Sequence, residues 1–182
     1  IANEGANFSV GANLMLILMN AIEQEWDELN LMIDQFQRSM MKARYSGVPV
    51  VVAPHNMALG GGCEMILHAD AVQAHAELYM GLVEFGVGVI PAGGGTKELT
   101  LRVSDAMQDG DIELNDYKNA FLNIGMAKVS TSAQDAFDMG YLRPCDSISM
   151  NKDRQIADAK RKAIYLADQG YVQKPQRTDI KV

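Results

Sequence analysis

Apolar residues recur at three- and four-residue intervals through Leu18, Ile22, Trp26, Leu29, Ile33, Phe36 and Met40. That spacing lines one face of a helix. No proline or glycine interrupts residues 15–45, so the pattern predicts one long helix stopped by Gly47 and Pro49. Before it, residues 1–14 are punctuated by Gly5 and Gly11. After it the period changes. Pro49-Val50-Val51-Val52-Ala53 is a short β-branched run that reads as a buried strand. Gly60-Gly61-Gly62 then turns the chain into a mostly apolar helix over residues 63–69. Residues 71–76 alternate as a second strand, with Gln73 and His75 on one face. A glycine-rich loop follows over residues 81–95, and a helix begins near Thr96. Ser130-Thr131-Ser132 reads as a cap on a short helix ending at Gly140, and residues 153–167 form a last helix ended by Gly170. Strands alternating with helices in this order predict an α/β or spiral ββα architecture rather than a bundle.

Composition narrows the class. The chain has 182 residues, 48% hydrophobic and 21% charged, which suits one soluble globular domain with its own core. A net charge of −7 argues against a general nucleic-acid binder. The charge is uneven. Residues 151–182 carry eight Lys+Arg against four Asp+Glu, leaving −11 on the first 150 residues. The expected division is therefore a core over residues 1–150 and a basic helix and tail over 151–182. Two cysteines, Cys63 and Cys145, provide neither a disulfide framework nor zinc spacing, which points to a reducing, cytoplasmic setting. The most apolar early run, residues 14–19, is too short to span a bilayer. The twelve methionines are scattered, and core packing is their expected use.

Candidate chemistry gathers on the glycines. A strand, three glycines and an immediate helix start leave backbone N–H groups converging on one point, a setting that favours an anion or a developing oxyanion. A tight structural turn would use the same residues. Glu64 shifts the balance, because it places a carboxylate in the first turn of an apolar helix. Glu84 repeats the pattern as the only charged residue between Met80 and Pro91. Two carboxylates in apolar surroundings suit acid–base chemistry, since burial moves their pKa towards working pH. Other chemistries fit less well. His55, His68 and His75 have no metal-ligand spacing, and Gly93-Gly94-Gly95-Thr96-Lys97 lacks the order of a phosphate loop. No GxGxxG joins a strand to a helix, so a nicotinamide-binding half is not expected here.

Three segments taken together resemble the enoyl-CoA hydratase (crotonase) superfamily. They are Ala6-Asn7-Phe8-Ser9-Val10-Gly11-Ala12-Asn13-Leu14, Ala58-Leu59-Gly60-Gly61-Gly62-Cys63-Glu64, and Glu84 to Thr96 with Ile90-Pro91 and Gly94-Gly95-Thr96. Ser132-Ala133-Gln134-Asp135-Ala136 and Gly140-Tyr141-Leu142 resemble the superfamily's later helix and turn. The stretch from Ala12 to Gly61 is longer than in ordinary members, and residues 101–129 do not match. The wording is similar to the hydratase portion of bacterial proteins that join a 3-hydroxyacyl-CoA dehydrogenase to an enoyl-CoA hydratase. That similarity implies an α/β crotonase-type spiral of ββα units whose opening strands precede Ile1.

The resemblance also implies a set of roles. The N–H groups of Ala12 and Gly61 would form the oxyanion hole for a thioester carbonyl, and Glu64 and Glu84 would be the catalytic pair. An acyl-CoA would be the substrate and no resident cofactor is expected, with NAD confined to a dehydrogenase portion upstream. Lys160, Arg161 and Lys162 would be placed to meet CoA phosphates. The protein would form trimers or hexamers, or dock against a dehydrogenase domain. The implied activity is hydration of 2-trans-enoyl-CoA in fatty-acid β-oxidation. A double-bond isomerase using one glutamate, and an inactive assembly fragment, are the alternatives.

Overall fold

The computed structural model describes residues 1–108 and 110–181. Asp109, within the core range, and Val182, the last residue of the basic segment, lie outside the described residues. The first helices are α1 (Leu14–Ile22) and α2 (Trp26–Arg44). They replace the single long helix expected over residues 15–45. The break has no glycine or proline to announce it. Gln24 instead adopts φ 60°, and the Glu25 N–H reaches back to the Asn20 carbonyl at 2.9 Å. A non-glycine residue in that region costs roughly 1–2 kcal/mol. Only α2 finds an inner surface, burying Met40 and Arg44, whereas α1 buries nothing. Asn13 starts α1 by accepting from the N–H groups of Met15 and Leu16.

The strands then build two layers. β1 (Val51–Val52) and β2 (Asn56–Leu59) lead into α3 (Gly61–Leu67), and β3 (Ala71–His75) and β4 (Leu78–Gly81) lead into α4 (Gly95–Ala106). β1 pairs parallel with β3, and β2 pairs parallel with β4 in the register Asn56–Leu78 to Leu59–Gly81. First strands therefore stack on first strands and second on second, which is a spiral of ββα turns. Residues 1–9 follow the same path. Ile1 exchanges backbone hydrogen bonds with Val51 and Ala53, and Ser9 bridges Ala58 in parallel. The strand feeding the glycine turn is thus β2, not the Pro49–Ala53 run, because the chain changes layer at Pro54–Asn56. Asn56 sits at φ 47°, a conformation asparagine tolerates better than most residues.

The remaining elements close the domain. A 3₁₀ turn over Glu84–Val87 lies within the glycine-rich loop expected over residues 81–95, and β4, which the sequence did not predict, ends at that loop's first residue. α5 (Glu113–Gly125) lies within residues 101–129, which the resemblance does not cover, and α6 (Ala133–Asp138) starts on a Ser132 cap. Ser130 is not part of that cap. It is buried, and its hydroxyl accepts from Met80 N–H and donates to the Leu78 carbonyl. β5 (Ser147–Ser149) extends the first sheet beside β3, and α7 (Lys152–Asp168) packs over that sheet. The core between layers holds Val52, Ala58, Cys63, Ile66, Leu67, Val72, Leu78, Met80, Leu82 and Tyr141. Each large apolar member contributes about 1.5–3 kcal/mol through burial. The methionines do not follow the core expectation. Met40, Met80 and Met107 are buried, but Met15, Met19, Met57, Met126 and Met150 are exposed.

Candidate active site

Two glycine motifs meet where residues 8–12 run along β2. Phe8 and Ser9 donate to the carbonyls of His55 and Met57, and Leu59 donates back to Ser9 at 2.9 Å. The approach is close enough to require glycine. A Cβ on Gly62 would lie 2.5 Å from Cβ of Ser9, while one on Gly60 would be in ordinary contact, 3.8 Å, with the Gly11 Cα. Gly11 and Gly60 also adopt φ 90° and 54°. The residues that follow them, Ala12 and Gly61, are thereby brought to one edge. Gly61 opens α3, where first-turn N–H groups have no intrahelical acceptor.

Both glutamates reach the same region. Glu64, in the first turn of α3, is only 2% exposed, and its Oε1 accepts the Gly95 N–H at 2.8 Å. Burial raises its pKa, while the N–H groups of Gly95, Gly93 and Gly94 hold it down. Glu84 begins the 3₁₀ turn. Its Oε1 lies 3.3 Å from where a Cβ of Gly60 would stand, and its Oε2 is buried with no hydrogen-bond partner. Burial pushes Glu84 up to about 7, and the charge of Glu64 adds to the effect. The neighbouring Cys63 thiol is also driven up, by burial first and then by the two carboxylates. The site thus holds one carboxyl that keeps its proton near neutrality beside a second fixed by backbone donors.

Residues to which the sequence assigned no part in the site frame this pair. Phe36 of α2 wedges between the two glycine loops. A Cβ on Gly61 would meet its ring at 2.9 Å, and one on Gly93 would meet it at 2.2 Å and Glu64 Oε2 at 2.4 Å. Gln37 donates to the Ala92 carbonyl at 2.7 Å. His68 contacts the Glu64 carbonyl at 2.7 Å through Nδ1. The histidines play separate parts, with His55 on the Gly5 carbonyl and His75 accepting from Glu77 N–H. Among the described residues no His, Cys, Asp and Glu group could hold a metal ion. In the basic segment, Lys162 is engaged with the Cys145 carbonyl and Ser147, and Arg161 with Asp158.

The enoyl-CoA hydratase/isomerase profile matches residues 2–109. The chain belongs to the enoyl-CoA hydratase/isomerase family. A Bacillus subtilis (strain 168) protein provisionally named a 3-hydroxyacyl-CoA dehydrogenase is 47% identical over 182 residues, all of this chain and 23% of that protein. A Rickettsia felis protein provisionally named a fatty acid oxidation complex trifunctional enzyme is 34% identical over 156 residues, 86% of this chain and 21% of that protein. The chain therefore spans less than a quarter of the length of these two relatives. Among solved structures, an enoyl-CoA hydratase from Bacillus halodurans superposes with a TM-score of 0.74 at 19% identity. That match covers 93% of this chain and 61% of the other, and it establishes the crotonase fold. No helix among the described residues is long and apolar enough to cross a membrane.

Proposed function

We propose that this chain carries the hydratase site of a β-oxidation enzyme and adds water across 2-trans-enoyl-CoA to give 3-hydroxyacyl-CoA. The observation that carries the reading is the placement of two carboxyls, the buried Glu64 and the half-buried Glu84, beside one glycine-lined edge, with Glu84 poised at about 7. The N–H groups of Ala12 and Gly61 polarise the thioester carbonyl, so negative charge developing there meets fixed donors, an effect typically worth about 3–4 kcal/mol per donor. Glu64 and Glu84 hold the water between them. One carboxylate takes a proton from water as the hydroxyl oxygen bonds to Cβ. The π electrons move towards Cα and the thioester oxygen, and the carboxyl pair returns a proton to Cα. Atoms balance with water as the only added reactant. The pair shares one proton and acts as a unit. The substrate is an acyl-CoA thioester and no resident cofactor is needed for this step.

A double-bond isomerase needs one carboxyl to shuttle a proton, not two to hold a water. The two readings separate on paired assays. Supplied with 2-enoyl-CoA, the enzyme should lose enoyl absorbance. Supplied with 3-enoyl-CoA, a pure isomerase would convert it and would leave 2-enoyl-CoA unhydrated, which would reject the hydratase reading. The family resemblance also supports self-association, or docking on a dehydrogenase portion, as the setting in which the site works.

A further inference from the structure

Behind Glu64 lies a buried charge cluster that the proposed chemistry does not use. Glu98 of α4 is 2% exposed, and its Oε1 lies 2.9 Å from Lys97 Nζ and 3.3 Å from Nε of Arg44 on α2. His68, in the turn closing α3, completes the group. Its Nε2 stands 3.1 Å from Lys97 Nζ and 3.6 Å from Glu98 Oε1. The Glu64 carbonyl can only accept, so Nδ1 of His68 carries the hydrogen and Nε2 offers its lone pair to the Lys97 ammonium. The ring is thereby held neutral in one tautomer, in keeping with the burial that lowers its pKa. Such a cluster is costly to bury and rarely a net source of stability.

Its position suggests what the cost secures. His68 Cε1 and Nε2 stand 3.1 Å from where a Cβ on Gly94 would lie, so the ring abuts the middle of the loop whose N–H groups hold Glu64. Lys97 and Glu98 follow that loop directly, and the Glu98 N–H donates to the Gly94 carbonyl at 3.0 Å. From the other side α2 grips the loop through Phe36, Gln37 and Arg44, and Lys97 also reaches Met41 Sδ at 3.2 Å. We propose that His68, locked between the Glu64 carbonyl and the Lys97–Glu98–Arg44 cluster, is a positioning residue that keeps the Gly93–Gly95 loop on the Glu64 carboxylate. The proposal rests on the assignment of Glu64 above.

The test measures hydration of a short 2-enoyl-CoA by the protein in its full natural context. His68→Leu removes both ring contacts, His68→Asn keeps an N–H near the Nδ1 place, and Lys97→Met removes the second anchor. His68→Leu should lower kcat roughly 10- to 100-fold with KM unchanged, the scale of a misplaced catalytic group. His68→Asn should recover much of that loss. The double variant His68→Leu/Lys97→Met should be no slower than the slower single one, because both act through one contact. The acidic limb of the pH profile should also move up, since a slackened loop ceases to hold the Glu64 pKa down. The ionisable groups around Glu64 are Glu84, Cys63 and His68, with Lys97, Glu98 and Arg44 behind them.

Unchanged kcat and pH limb in folded His68→Leu would overturn the proposal, as would His68→Asn no better than His68→Leu. If His68→Leu does not fold, Lys97→Met and His68→Asn decide it on the same readouts. Loss of the proposed function is distinguishable. A wild-type protein without hydration rejects the Glu64 assignment and this inference with it, whereas an active wild type with indifferent variants rejects the inference alone.

Discussion

Gly93 shows how little freedom the site leaves a single residue. Any Cβ there would stand 2.4 Å from Glu64 Oε2 and 2.2 Å from Phe36 Cε1. Alanine at this position must push the carboxylate or the ring aside. Gly93→Ala should therefore cut kcat by roughly 100-fold, the expected scale for a displacement near 1 Å. Steady-state kinetics on the folded variant would check it, with melting lowered by the overpacking. Glu84 makes a prediction about stability. Its folded pKa of about 7 stands above the ordinary 4.5, so ionisation costs more in the folded state. The stabilising effect of its protonated form is complete below about pH 4.5 and is lost as pH rises through 7. Glu84→Gln escapes that loss. At pH 8 it should gain on the order of 1 kcal/mol over wild type, reduced by solvent screening of a half-buried group. Melting curves should show the gap closing towards pH 4.

At the level of elements, the glycine turns and both glutamates were legible because they sit in local motifs with fixed spacing. Phe36, Gln37, Arg44 and His68 were not. They come from α2 and the end of α3, and they meet the site only after the spiral closes. One signal was present: His68 interrupts an otherwise apolar helix, and Arg44 lies on a buried stripe with Met40. The bend at Gln24 was invisible because the apolar periodicity continues across it with no glycine or proline to mark it. α7 offers a test of how elements are joined. Gln155, 2% exposed, donates to the carbonyls of Pro54 and Gln73 at 2.6 and 2.8 Å, tying the helix to the turn after β1 and to β3. Gln155→Leu would remove both bonds, and although the Pro54 carbonyl keeps the His75 N–H at 2.9 Å, the loss should cost about 1–3 kcal/mol. Chemical denaturation would show a lower midpoint with an unchanged slope. An unaltered midpoint would mean the helix is held by Ala159 and its apolar neighbours alone.

For the whole molecule, stacking first strands on first and second on second places three backbone segments around one edge. They are the end of residues 8–12, the start of α3, and the loop entering α4. In the proposed site each would supply backbone donors or a carboxylate, and none could form it alone. The two long relatives, of which this chain spans less than a quarter, have this segment as one part of a larger protein. Under the proposed function Glu64 and Glu84 jointly add water to an enoyl thioester. The most direct measurement is the hydration rate of crotonyl-CoA by wild type, Glu64→Gln and Glu84→Gln, with folding monitored alongside. Each substitution should depress kcat by about 10²–10⁴-fold while melting remains cooperative. A single variant that retains wild-type hydration would contradict the joint role of the two carboxyls.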